Sequence, residues 1–138
     1  MWQRPEGTLP LSKVPMISIV DDDRSLREAT KGLVRSFGYG ADTFASAEEF
    51  LQSDRVNDTS CLILDVNMPG LSGIELQRQL IEQGNRMPII FITAIPEETT
   101  RAKALDAGAV GFLSKPFREE WLIDRLDVAL NRKAQCER

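Results

Sequence analysis

Four apolar runs in this chain each end on small polar or charged residues: Ile17–Asp22, Leu62–Asn67, Ile89–Thr93 and Phe112–Lys115, the last followed by Pro116. The segments between them carry helical periodicity, so the chain reads as alternating strands and helices. If the strands are parallel, their carboxyl ends meet along one edge of a sheet, where the ligand sites of open α/β folds lie. Three carboxylates, a hydroxyl and an ammonium then converge from segments far apart in sequence.

A chain of 138 residues, 42% hydrophobic and 28% charged, is long enough for one ordinary core and too short for two. The formal charge of −4 argues against a surface dominated by nucleic-acid binding. No apolar stretch approaches the roughly 20 residues that cross a bilayer. The start, Met1-Trp-Gln-Arg-Pro-Glu-Gly7, lacks the apolar region of a secretory signal. Cys61 lies inside an apolar run and Cys136 near the end, a poor basis for a disulfide. A cytoplasmic setting is expected. There is no histidine, which removes the commonest general base, the commonest zinc ligand and any internal phosphohistidine donor.

Residues 1–15, with three prolines and no sustained periodicity, read as a flexible N-terminal extension; residues 16–132 read as the folded domain and 133–138 as a tail or truncated linker. Within the domain, a first strand at Met16–Val20 precedes a helix from Asp23 to Phe37, with Leu26, Ala29, Leu33, Val34 and Phe37 on one face and Gly38 ending it. A second strand is expected at Tyr39–Thr43. Ser46-Ala-Glu-Glu49 and Ser72-Gly-Ile-Glu75 both read as capping boxes opening helices. The second helix should bury Ala47, Phe50 and Leu51, and the third Leu76 and Leu80 before Gly84 stops it. The nearly uninterrupted apolar character of Leu62–Asp65 and Ile89–Ile92 suits central parallel strands covered on both faces. Strands four and five are expected at Met87–Thr93 and Ala109–Ser114. The fourth helix, Glu97 to Ala107, has Leu105 as its one large apolar anchor and should be the least firmly held. The last, Arg118 to Arg132, aligns Leu122, Leu126, Ala129 and Leu130, with Trp121 and Ile123 off that stripe.

In a 2-1-3-4-5 sheet, strands one and three are neighbours, so Asp21 and Asp22 face Asp65. Like charges so close must take up a proton or share a cation. An oxygen-only ligand set, without histidine or a nearby cysteine, favours Mg²⁺ or Mn²⁺ over zinc. Asn67, in Asp65-Val-Asn-Met-Pro-Gly70, can add its backbone carbonyl, and Lys115 offsets part of the negative charge. A carboxylate flanked by a metal and a lysine can attack phosphorus, because both cations withdraw charge from the phosphoryl oxygens. Thr93 can add a hydroxyl donor. This chemistry is phosphoryl transfer onto Asp65, giving an acyl phosphate.

Taken together, Ile-Val-Asp-Asp-Asp23, Leu-Ile-Leu-Asp65-Val-Asn-Met-Pro-Gly70, Ile-Phe-Ile-Thr93-Ala94 and Phe-Leu-Ser-Lys115-Pro-Phe117 strongly resemble the receiver domain of two-component response regulators. The resemblance runs from Met16 to Arg132 and implies a doubly wound (βα)5 flavodoxin-like fold. It implies Asp65 as phosphoacceptor, with Asp22 and the Asn67 carbonyl joining Asp65 on Mg²⁺ and Asp21 acting through water. Thr93 and Lys115 would contact the phosphoryl group, Phe112 would be a rotameric aromatic switch, and the Lys115–Pro116 bond would be cis. The segment Ala-Gly-Ala-Val-Gly-Phe-Leu-Ser-Lys-Pro-Phe117 is similar to the NarL/FixJ type, whose receivers often precede a LuxR-type helix-turn-helix. The implied partners are a sensor histidine kinase, a second copy docked through the fourth helix, fifth strand and fifth helix, and a DNA-binding output domain outside this chain.

Other readings stay open at this level. Asp22 or Asp23 can simply cap the first helix, and Phe112 can be ordinary core. A haloacid-dehalogenase-type phosphatase also uses a strand-end aspartate, but typically carries a second acid where this chain has Asn67. A phosphorylation-independent interaction module is a further alternative. Asn67 and Ile95 line the approach to Asp65; an apolar Ile95 cannot orient an attacking water, so phosphoryl lifetime is expected to depend strongly on Asn67 and on local water access.

Overall fold

The computed structural model describes residues 14–136. In chain order its elements are β1 (Met16–Val20), α1 (Arg24–Ser36), β2 (Gly40–Phe44), α2 (Ala47–Gln52), β3 (Cys61–Asp65), α3 (Gly73–Glu82), β4 (Ile89–Thr93), α4 (Glu98–Asp106), β5 (Gly111–Ser114) and α5 (Glu119–Cys136), with one 3-10 turn at Val56–Asp58. The five strands form one parallel sheet in the order β2-β1-β3-β4-β5. This is the expected doubly wound, flavodoxin-like topology. The expected extension lies outside the described residues for positions 1–13, as do positions 137 and 138 of the tail.

Every residue of β3 and β4 is buried, because alternate side chains serve two cores on opposite faces of the sheet. On one face Val20, Leu62, Leu64 and Phe91 pack with Phe50 of α2, Leu76 and Leu80 of α3 and Ala104 of α4. On the other, Ile17, Ile19, Ile63, Ile90 and Ile92 pack with Val34 of α1 and Leu122, Leu126 and Ala129 of α5. Each large side chain so enclosed contributes about 1.5–3 kcal/mol.

Of the two capping candidates, Asp22 and Asp23, it is Asp23 that caps α1 as expected, its carboxylate accepting from Leu26 N at 3.1 Å. Several expectations are corrected in detail. The buried stripe of α1 is Thr30 and Val34, flanked by half-buried Leu26 and Leu33. Ala29 faces solvent, and Phe37 is 53% exposed because it is the C-cap, where the backbone has left helical geometry. Ser72 and Glu75 form a complete capping box, but Glu49 bypasses Ser46 N and accepts from Ala45 N at 2.7 Å, leaving only the Ser46 half of the other. On α4, Leu105 is only partly buried; the enclosed residue is Ala104, whose small side chain lets α3 approach so that Gln77 Nε2 donates to the Ala104 carbonyl at 3.2 Å. Strands β4 and β5 begin two residues later than expected, and α5 continues four residues further. Among the described residues no helix is long and apolar enough to cross a membrane.

Candidate phosphoacceptor site

Strands β1 and β3 pair with Val20 opposite Leu64, so the residues that follow, Asp21 and Asp65, leave the sheet side by side. Asp21 is fully buried; its Oδ1 accepts from Asp23 N at 2.9 Å, and its carbonyl accepts from the Arg27 guanidinium at 2.7 Å. Asp65 is buried at the end of β3, with Oδ1 accepting from Asn67 N at 3.3 Å. Asp22 is exposed at the rim, and one carboxylate oxygen from each of Asp21, Asp22 and Asp65 lies within 4.8 Å of the others. Lys115, just past β5, brings Nζ to 3.4 Å from both Asp21 Oδ2 and Asp65 Oδ2. Its peptide nitrogen donates to Thr93 O at 2.7 Å, and the Lys115–Pro116 bond is cis.

Two buried carboxylates therefore share one ammonium. Desolvation, followed by the negative charge of Asp21, raises the Asp65 carboxyl from 3.8 to about 7, against the opposing pull of Lys115 and the Asn67 N–H. Asp21 Oδ2 is buried and receives no hydrogen bond, although the Lys115 ammonium stands at ion-pair distance. A buried acceptor with unmet capacity, grouped with two further carboxylates, is a hard-oxygen donor set that fits a small divalent cation such as Mg²⁺ or Mn²⁺.

Thr93 is fully buried, and its hydroxyl is committed to the loop after β4. Oγ1 accepts from Ile95 N at 3.1 Å and from Asn67 Nδ2 at 3.1 Å, and lies 3.1 Å from the Ile95 carbonyl to which it donates. The Asn67 side chain thus bridges to the threonine, a role the sequence did not suggest. Phe112 is half-buried against the core beside α4, its ring 6.1 Å from that of Phe91. Ile95 is 62% exposed at the mouth of the site.

Three supporting residues escaped the sequence reading. Gly73 opens α3 directly against the end of β3: a Cβ there would sit 2.4 Å from the Asp65 carbonyl oxygen. Arg27, whose guanidinium donates to the Asp21 carbonyl, has no role that the sequence pattern suggests, and Glu48 stands there only inside a capping sequence. Glu48 Oε2 accepts from Leu71 N at 2.9 Å, across to the loop that carries Asn67, and this bond holds its carboxyl below the usual range. The one available signal was Gly73 itself, a poor helix former placed directly after an N-cap serine.

The family model for the response regulator receiver domain matches residues 17–127, a span containing Asp21, Asp22, Asp65, Asn67, Thr93, Phe112 and Lys115. The chain belongs to the response-regulator receiver family. This receiver is 45% identical over 123 residues to the response regulator protein TodT of Pseudomonas putida, covering 89% of this chain and 54% of TodT. It is 34% identical over 119 residues to the transcriptional regulatory protein FixJ of Azorhizobium caulinodans, covering 86% of this chain and 56% of FixJ, which supports the NarL/FixJ type. Among solved structures, the response regulator StyR superposes with a TM-score of 0.80 at 43% identity, over 90% of this chain and 63% of that one. The receiver spans about half the length of the curated relatives it matches. Family membership implies phosphorylation-based two-component signalling.

Proposed function

We propose that this receiver takes a phosphoryl group from a sensor histidine kinase onto Asp65 in a magnesium-dependent reaction, and thereby switches the surface formed by α4, β5 and α5. The observation that carries the reading is the Asp65 carboxylate buried at the end of β3, 3.4 Å from Lys115 Nζ and grouped with Asp21 and Asp22. One Asp65 oxygen attacks phosphorus; the bond from phosphorus to the donor imidazole nitrogen breaks, and the electron pair leaves with the imidazole. Lys115 draws charge from the phosphoryl oxygens during transfer. Magnesium, held by Asp22, Asp65 and the Asn67 carbonyl with Asp21 acting through water, would supply the remaining charge neutralisation. Mn²⁺ would serve in the same way.

A phosphoryl group adds about −1.5 to −2 charges and three acceptor oxygens. Thr93 then exchanges its bonds to Asn67 and Ile95 for one to a phosphoryl oxygen, drawing the loop before α4 inward. Phe112 turns into the vacated space. The result is a population shift at α4-β5-α5 that controls dimerisation or contact with an output module. In this reading the protein is a cytoplasmic signalling switch that catalyses its own phosphorylation and dephosphorylation. Residues 16–132 form the receiver unit, between an N-terminal extension over 1–15 and a tail over 133–138. Relatives named transcriptional regulatory proteins, of which this chain covers about half, support an output module, and the resemblance to the NarL/FixJ type makes a LuxR-type DNA-binding module the one proposed, while this acidic segment itself contacts neither nucleic acid nor membrane.

Intact mass after incubation with acetyl phosphate, with and without Mg²⁺, tests the reading. One metal-dependent phosphoryl adduct is expected, absent in Asp65→Asn, and the modified sample should elute from a sizing column as a dimer or show altered partner binding. If neither an adduct nor beryllofluoride binding is seen, the phosphorylation-independent module becomes the better account.

A further inference from the structure

We infer that Glu48, an exposed residue on α2 outside the acidic cluster, is a positioning residue for the magnesium ligand supplied by the loop after β3. The inference rests on the metal reading above and names a residue that reading does not contain. A backbone carbonyl has no rotamer of its own, so the place of the Asn67 oxygen is set wholly by how the main chain runs from Asp65 to the start of α3.

On the sheet side that run is tied by Val66 N to Ile92 O at 2.9 Å, by Gly73 N to Val66 O at 3.0 Å and by the buried Met68 side chain. On the outer side the chain turns at Pro69-Gly70, and there the Glu48 carboxylate reaches across 23 residues of sequence to accept from Leu71 N at 2.9 Å. The same oxygen fills the space over Gly70, where a Cβ would lie 2.7 Å from it, and Gly70 has a φ of +76° that L residues rarely adopt. The turn is thus shaped around this carboxylate by both conformation and space. The two acids of α2 divide their work: Glu49 accepts from Ala45 N at the entry to its own helix, while Glu48 anchors a distant loop. Outer groups that orient a metal ligand commonly matter to affinity almost as much as the ligand does.

The experiment is a calorimetric Mg²⁺ titration of the whole chain as wild type, Glu48→Ala and Glu48→Gln, with a thermal melt of each. Positioning predicts a half-saturating Mg²⁺ concentration about tenfold higher in Glu48→Ala, and within about twofold of wild type in Glu48→Gln, whose amide oxygen still accepts from Leu71 N. A merely structural contact would lower the melting temperature and leave the titration unmoved. Equal weakening in both variants would mean that only the lost charge matters, and would overturn the inference, as would a Glu48→Ala titration matching wild type. If wild type binds no Mg²⁺, the metal reading itself falls and the inference with it. Because Glu48 is exposed, both variants should fold, and the melts establish that they do.

Discussion

Two corners leave the same edge of the sheet from adjacent strands, and they are built to opposite specifications. After β3, Val66 and Met68 are buried, Gly73 packs against the Asp65 carbonyl, α3 starts in a full capping box, and Glu48 closes the outer turn. After β4, residues 94–99 are all exposed, Ile95 among them; the N-cap Glu97 makes no capping bond, and α4 buries only Ala104. The first corner fixes atoms at the place where chemistry is proposed. The second leaves an element with few anchors, as any element that must choose between two arrangements requires. Thr93 joins the two, since its hydroxyl is bonded to Asn67 on the rigid side and Ile95 on the loose side.

The contrast is broken most violently at Gly73. An alanine there places Cβ 2.4 Å from the Asp65 carbonyl oxygen and 3.1 Å from Val66 Cα, contacts with backbone that cannot swing aside. Gly73→Ala should destabilise the fold by about 3 kcal/mol or more, the upper end of overpacking effects, as read by urea denaturation. The matched change in the loose corner, Thr99→Ala, should stay within about 0.5 kcal/mol. Similar losses in both would erase the distinction.

A second test uses the charge stored at the rigid corner. Without metal, the Asp65 carboxyl is raised from 3.8 to about 7, mainly by desolvation and then by Asp21. Native protein therefore holds a proton that the unfolded chain has released. That contribution to stability is complete below pH 3.8 and is lost as pH rises to about 7. Asp65→Asn has no such proton to lose. In metal-free buffer the variant should become more stable than wild type across this window, reaching roughly 2–3 kcal/mol at pH 8, somewhat less than the full linkage because Lys115 keeps only Asp21 as partner. Saturating Mg²⁺ should stabilise wild type and narrow the gap. A stability difference that is flat from pH 4 to pH 8 would show that Asp65 is not strained in the resting protein.

The sequence made the fold and the converging side chains legible because both depend on local pattern. Short apolar runs bounded by turn residues suit strands covered on both faces, and strand ends at Asp21, Asp65, Thr93 and Lys115 share one edge once the strands are parallel. Contacts set by tertiary approach left no such mark. Arg27 and Glu48 look like ordinary helix-surface charges until the loops they grip are in place. Leu105 looked like the anchor of α4 because it is large, whereas closeness to α3 selected the smaller Ala104. The Asn67 bond to Thr93 spans 26 residues and depends on side-chain direction, which periodicity does not encode.

The subtlest test tightens the loose corner without touching the site. Glu97 occupies the N-cap of α4 with extended backbone, φ −116° and ψ 132°, but its carboxylate accepts from the Thr100 hydroxyl rather than from a helix amide. A serine there has the short oxygen that reaches the amides of the first turn. Glu97→Ser forgoes the favourable interaction of an acid with the helix dipole, so the net gain should be only about 0.5 kcal/mol. That gain should slow hydrogen exchange of the α4 amides about twofold while leaving those of β3 and α3 unchanged. It is confined to α4 only if that helix opens as its own unit, with the β3 corner standing still. Slowing spread equally over α3 and α4 would mean that the two corners open together, and the proposed division between a fixed site and a movable reporter would have to be given up.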